Sequence, residues 1–350
     1  MAMRILIVIG AGASYDCWTK VLSKSALQKQ KLPLANDLFS SEYTQNFYLT
    51  KYNLVGLAGK LRDKLNLTKN EEKPFDVEFE LSEINDRATK INDLNRLQDL
   101  FKSKFYLHNL IYDLAKDTLE QTNSHTVYID LLNQLKDWID NDQASHFVDI
   151  VSFNYDNLLE DAMANVYGYN WTHKNMDNPL RAYTAGNNLK IYKPHGSINW
   201  GREISRRYTN PDDLFVDFDQ ITLNDSFVYI TPNNFFGPEE KNYIPAIAVP
   251  FKNKDSFEEC PSTMQSEMIK AVENADNLIT IGWKGTDRNF TDLLKSNGKK
   301  INEIHIVSPT GDTYLDEVFQ ELPLIKLKFG FREFVTETKS LKEFLTNFSY

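Results

Sequence analysis

Met3-Arg4-Ile5-Leu6-Ile7-Val8-Ile9 runs without a break into Gly10-Ala11-Gly12-Ala13-Ser14, and this stretch decides the fold. Ile5 to Ile9 is apolar at every position and mostly β-branched. Such a run suits a strand buried on both faces, as in a parallel sheet, where an exposed face would demand alternating polarity. The small residues that follow let the chain turn tightly into a helix, which is how nucleotide-binding α/β domains begin. Glycines at that turn let backbone amides approach a pyrophosphate at a helix N-terminus. Ser14 is placed to donate to a phosphate or to cap the helix. Tyr15 stands where the third glycine of a full G-x-G-x-x-G would fall. A tight strand-to-helix turn without a ligand therefore explains the segment about as well.

Working outward, strand-like runs recur at residues 147–153, 189–192, 227–231, 246–249, 277–281, 304–307 and 324–328. Helix patterns fall at 157–163, 263–273 and 332–348. Strands separated by helices predict an α/β fold with a Rossmann-like, doubly wound, mainly parallel sheet. Residues 37–142 read differently. Leu94, Leu97, Phe101, Phe105, Leu110, Ile111 and Leu114 keep helical spacing, as do Leu131, Leu132, Leu135, Trp138 and Ile139. The expectation is one domain over 1–350, with a core of 1–36 and 143–350 and a helical insertion layer at 37–142. Residues 66–74 and 201–225 are polar and turn-rich, and read as loops.

Composition excludes several classes. The 350 residues carry 39 Lys+Arg against 49 Asp+Glu, a net charge of −10. That balance argues against direct nucleic-acid binding, which needs a basic surface. The opening apolar run is far short of the ~20 residues of a membrane span, and too early for a signal peptide. Cys17 and Cys260 are the only cysteines, too few for a disulfide framework or a four-cysteine zinc site. A reduced, cytoplasmic protein with no metal is expected.

Chemistry-bearing residues gather at strand ends. Asn154 and Asp156 follow the 147–153 run, two apart, so both can face one side of an extended chain. They form either a ligand-recognising pair or an Asx turn capping the next helix. His195, in Lys193-Pro194-His195-Gly196-Ser197, leaves the 189–192 run. Imidazole is the usual group for proton transfer near neutral pH, although a lone histidine is more often structural. Ile281-Gly282-Trp283 and Ile306-Val307-Ser308-Pro309 are two more strand ends. Each either lines a nucleotide pocket or simply ends a strand.

Taken in order, GAGAS, FNYD, HGS, IGW and IVSP resemble the SIR2 (sirtuin-like) family over roughly 1–35 and 145–310. The resemblance implies a sirtuin-like, NAD-binding fold. It implies Gly10, Ala11, Gly12 and Ser14 as the phosphate loop, and Asp156 at the nicotinamide end of the pocket. Asn154 and His195 become the catalytic residues, and Gly282 and Ser308 contact the adenosine half. No CxxC pair follows His195, so the four-cysteine zinc module of sirtuin deacetylases is absent from the sequence. Without it the chain resembles the prokaryotic SIR2-like branch, as does Pro33-Leu34-Ala35-Asn36-Asp37-Leu38-Phe39. Members of that branch cleave NAD itself and often act in anti-phage defence. The implied activity is hydrolysis of NAD to nicotinamide and ADP-ribose, with NAD as substrate. The implied setting is a toxic effector of abortive infection, activated by a protein partner (an ATPase or a nucleotide-sensing enzyme) or by homo-oligomer assembly. An NAD or ADP-ribose sensor, and a deacylase or ADP-ribosyltransferase acting on a protein, are the alternatives.

Overall fold

The computed structural model describes residues 2–18, 31–40, 43, 47–68, 75–141, 145–168, 181–184, 188–231, 235, 242–252, 257, 259–311, 315–319, 322–338 and 340–347. Its strands are β1 (Arg4–Ile9), β2 (Phe147–Ser152), β3 (Leu189–Tyr192), β4 (Gly196–Ile204), β5 (Leu223–Tyr229), β6 (Asn242–Ile247), β7 (Asn277–Ile281), β8 (Glu303–Val307) and β9 (Leu324–Leu327).

The apolar run at the start of the chain sits where its composition requires. β1 pairs in parallel with β2 on one side and β7 on the other, and Ile5 to Ile9 are fully buried. The sheet has the order β3-β2-β1-β7-β8-β9, and every neighbouring pair is parallel. Strand order reverses between β1 and β7, so the switch point of this doubly wound sheet lies at the carboxyl ends of those two strands. The sheet belongs to one compact unit, Met1–Lys29, Ala115–His195 and Asp255–Tyr350. Helices of this unit include Val127–Asn141, Leu158–Tyr167, Ser262–Asn274 and Arg288–Asn297. Two of them show local stop or start chemistry. Gly168, with φ of +70°, ends the second. The Asp287 carboxylate accepts from the Phe290 amide and opens the last.

The second unit is Gln30–Leu114 with Gly196–Lys254. Among the described residues of its first segment are the helices Val55–Thr68 and Val77–Ile91 and the first part of Leu94–Thr122, the last of which carries the helical spacing read from Leu94 to Leu114. Asp76 caps the second of these, and Asn92 in the left-handed region ends it. Residues 196–254, which the sequence places with the parallel sheet, carry a separate antiparallel sheet of order β5-β4-β6. Phe105 centres the aromatic packing of this unit, its ring 5.2 Å from Phe215 and 5.5 Å from Phe235.

Two loop readings need correction. Residues 201–225 are not a surface loop. They hold the end of β4, the helix Pro211–Val216 capped by Asn210, and the start of β5. Pro211 and the acidic pair after it suit a helix start as well as a turn. Residues 66–68 finish a helix, and 69–74 lie outside the described residues. The helical pattern at 332–348 is broken into a π-helical turn, Glu333–Glu337, and the helix Ser340–Asn347.

Candidate functional site

The turn after β1 is woven into the turn after β7. Gly10 N–H donates to Ile281 O at 3.0 Å, and Gly12 N–H to Gly282 O at 3.1 Å. Gly282 N–H in turn donates to Val307 O at 3.0 Å. No side chain fits between these backbones. A Cβ on Gly10 would lie 2.6 Å from Gly282 O, and one on Gly282 would lie 2.4 Å from the Ala13 nitrogen. Gly282 also has φ of +59°, a conformation that favours glycine. The glycines therefore serve close backbone approach at the switch point, and Ala11 and Gly12 form its half-exposed rim. The helix that follows, Ala11–Tyr15, is five residues long with Gly10 as its N-cap. Ser14 lies within that helix and does not cap it.

Ser14 and Asn154 meet across the ends of β1 and β2. Asn154 Nδ2 donates to Ser14 Oγ at 2.8 Å and to Tyr128 Oη at 3.3 Å, and Ser14 Oγ lies 2.9 Å from Tyr128 Oη. All three side chains are buried. Asn154 Oδ1 is also buried, and no described residue donates to it. Burial pushes the Tyr128 phenol well above its ordinary pKa, helped by the nearby Asp156, so it stays protonated.

Asp156 lies beside this group. Its Oδ1 accepts from Leu158 N–H at 3.2 Å, so the Asx-turn reading of this residue holds at the start of the helix Leu158–Tyr167. Burial raises its pKa, while the Lys193 ammonium and a hydrogen bond from Ser14 pull it down. Lys193 itself is fully buried. Its Nζ donates to Asp156 O at 2.5 Å and to Glu160 Oε1 at 2.8 Å, and Tyr183 Oη donates to the same oxygen at 2.8 Å. A buried ion pair thus ties the exit of β3 to the turn after β2.

His195 leaves β3 two residues later. Its Nε2 lies 2.7 Å from Asp287 Oδ2. Its ring packs edge-on against Phe153, with centroids 4.9 Å apart. Phe153 stacks on Trp283 and meets Phe290 edge-on. The next residue, Gly196, has φ of +78°, which explains a glycine there. Asp287 spends its other oxygen on the Phe290 amide, so its carboxylate is fixed between a helix start and an imidazole. Ser308 follows β8 and is half-buried, its amide donating to Leu327 O and its hydroxyl 3.4 Å from Thr310 Oγ1.

The parallel sheet therefore collects Gly10, Ala11, Gly12, Asn154, Asp156, His195, Gly282 and Ser308 along its carboxyl edge, with Ser14 one helical turn beyond. Sequence reasoning missed Tyr128, Lys193 and Asp287. Asp287 was findable as an N-cap before the apolar spacing of Phe290 and Leu294. Tyr128 was not, because it sits in a helical pattern that follows no strand end. Asp16, in the loop after the glycine turn, accepts from the Arg332 amide at 3.1 Å and so holds the C-terminal segment to the first turn. Among the described residues no group of three or more His, Cys, Asp or Glu side chains is arranged to hold a metal ion. No helix among them is long and apolar enough to cross a membrane.

Comparison with protein families matches residues 148–315 to a SIR2-like domain. No curated protein matches the chain. Among solved structures, a Sir2 homologue in complex with NAD is similar at 12% identity and a TM-score of 0.41, covering 98% of this chain and 90% of that one. A triple mutant of a Sir2 homologue with 2′-O-acetyl ADP-ribose is similar at 12% identity and a TM-score of 0.46, covering 98% and 93%. Sir2Tm bound to a propionylated peptide is similar at 11% identity and a TM-score of 0.40, covering 97% and 93%.

Proposed function

We propose that this chain, whose residues 148–315 match a SIR2-like domain, hydrolyses NAD to nicotinamide and ADP-ribose. The observation that carries the reading is the buried Oδ1 of Asn154, an acceptor without a donor at the carboxyl edge of a parallel sheet. A buried acceptor left unpaired costs about 1–3 kcal/mol, so its natural occupant is a hydroxyl or a water of the substrate complex.

The chemistry needs little more than placement. The bond between ribose C1′ and the nicotinamide nitrogen breaks, and the bonding pair goes to the ring, which leaves neutral. Water oxygen adds to C1′, and its proton is lost. The transition state is oxocarbenium-like, so orientation of the dinucleotide and water supplies most of the rate. Asn154 Oδ1 accepts from that water or from a ribose hydroxyl. His195 takes the proton, with Asp287 holding its imidazole in one orientation. Asp156 meets the nicotinamide carboxamide. The dinucleotide lies along the switch point, with its phosphates over Ala11 and Gly12 and its adenosine half toward Gly282 and Ser308. No step requires a metal.

An enzyme that empties the NAD pool harms its own cell. The reading therefore extends to a cytoplasmic effector of abortive anti-phage defence, kept silent until a protein partner or self-assembly activates it. Residues 37–142 supply the surface for that control. Purified protein incubated with NAD, with and without lysate from infected cells, should release nicotinamide and ADP-ribose in equal amounts. Tight NAD or ADP-ribose binding with no release under either condition would instead make the chain a sensor. A mass increase on an added protein acceptor would make it a transferase.

A further inference from the structure

The protons around Asn154 can be counted. The amide nitrogen has two, and its two neighbours are Ser14 Oγ at 2.8 Å and Tyr128 Oη at 3.3 Å. Ser14 has one proton, and Asp156 draws it. Tyr128 has one, in a fully buried place, and Ser14 Oγ at 2.9 Å is the acceptor within reach. Each donor then has one acceptor, and no arrangement with the amide reversed is equally good. Turning Asn154 over would aim Oδ1 at Ser14, whose proton is already given, and would leave two N–H donors without partners.

We propose that Tyr128 is a positioning residue that locks the Asn154 carboxamide in one orientation, with Oδ1 facing the reacting centre as an acceptor. The ligand atom at that point is thereby a hydrogen-bond donor, a water or a ribose hydroxyl, and not a carbonyl or phosphate oxygen. The inference rests on the NAD-hydrolysis reading for what the site binds, but its structural half stands without it. Tyr128 lies in the first turn of the helix Val127–Asn141, which the sequence reading assigns to the helical insertion. Two contacts fix it there. Val127 N–H donates to Cys17 O at 2.9 Å, and the Tyr128 ring packs on Phe331 with centroids 5.0 Å apart. The orientation of Asn154 is thus set by a helix outside the sheet and by the C-terminal segment that Asp16 holds.

Tyr128→Phe removes one oxygen and keeps the ring. With active enzyme it should lower kcat about tenfold, the worth of one buried hydrogen bond, and leave KM within about twofold. Ser14→Ala should lower kcat at least as much. A Tyr128→Phe enzyme with unchanged kcat, or with its whole loss in KM, overturns the proposal. An arm independent of activity uses protein labelled with 15N-asparagine, the Asn154 side-chain pair being assigned by its loss in Asn154→Ala. In the unsubstituted protein both Asn154 amide protons should exchange slowly, and Tyr128→Phe should move one of them upfield and speed its exchange. Rapid exchange of both protons before substitution overturns the lock even if Tyr128→Phe fails to fold. Slow exchange in a protein that never releases nicotinamide supports the lock and overturns the NAD reading alone.

Discussion

Asn154 and His195 divide the work at the residue scale, and their surroundings say how. Asn154 is held from behind by Ser14 and Tyr128, and an asparagine is no base, so its part is to orient. Asn154→Ala should therefore lower nicotinamide release about a hundredfold or more while calorimetric titration still finds NAD binding. Lost binding with a normal rate at saturation would make Asn154 a binding residue. His195 is held by Asp287 and by the Phe153 ring edge. His195→Ala should abolish release and leave the melting temperature close to that of the unsubstituted protein, because the aromatic packing of Phe153, Trp283 and Phe290 does not depend on it. Near-native turnover would end its assignment as the base. Both residues were legible because each follows a strand and carries unusual chemistry for its place. Their supports were not, since Tyr128 and Asp287 reach them from parts of the chain 26 and 92 residues away.

At the scale of elements, the strand ends are joined by backbone and by one buried ion pair. Gly282 meets the Gly10–Ala13 turn with no room for a methyl group. Gly282→Ala brings both a left-handed φ and a clash with backbone, and should cost about 2 kcal/mol or more. A thermal melt within experimental error of the unsubstituted protein would show that the two turns can part freely. Lys193 and Glu160 are both buried, and removing one strands the other. Lys193→Met should cost about 3–5 kcal/mol, and the double variant with Glu160→Gln should recover part of it. A loss in the double variant equal to the sum of the two single losses would mean that the pair is not coupled. The parallel strands were readable from apolar runs, β1 most clearly, because burial on both faces favours apolar side chains at successive positions. β4 was hidden for the opposite reason. Gly196-Ser197-Ile198-Asn199-Trp200-Gly201-Arg202-Glu203-Ile204 has no apolar run, and its strand form comes from antiparallel partners on both sides.

Across the whole molecule, the sequence separates helical residues 37–142 from the sheet, while spatial contacts group 30–114 with 196–254. Chain order cannot show that grouping, because a two-part unit is assembled from segments more than eighty residues apart. The second unit also carries its own titratable group. His108 lies fully buried in its helix, with the Phe235 ring 4.7 Å away. Burial pushes its pKa down to about 3, the Ile198 backbone pulling the other way. In the unfolded chain the same imidazole titrates near 6.5. Between these values the unfolded state binds a proton that the folded state does not, so stability rises with pH through this window and is lost as pH falls below about 6.5. The slope from one such group is at most about 1.4 kcal/mol per pH unit. His108→Phe removes that proton and matches the aromatic surroundings. Unfolding of the two proteins, followed by urea titration between pH 4 and 7, should give a flatter pH dependence for His108→Phe by up to that amount. Parallel curves for the two proteins would mean that His108 gains a proton without unfolding, and that its site is open to water.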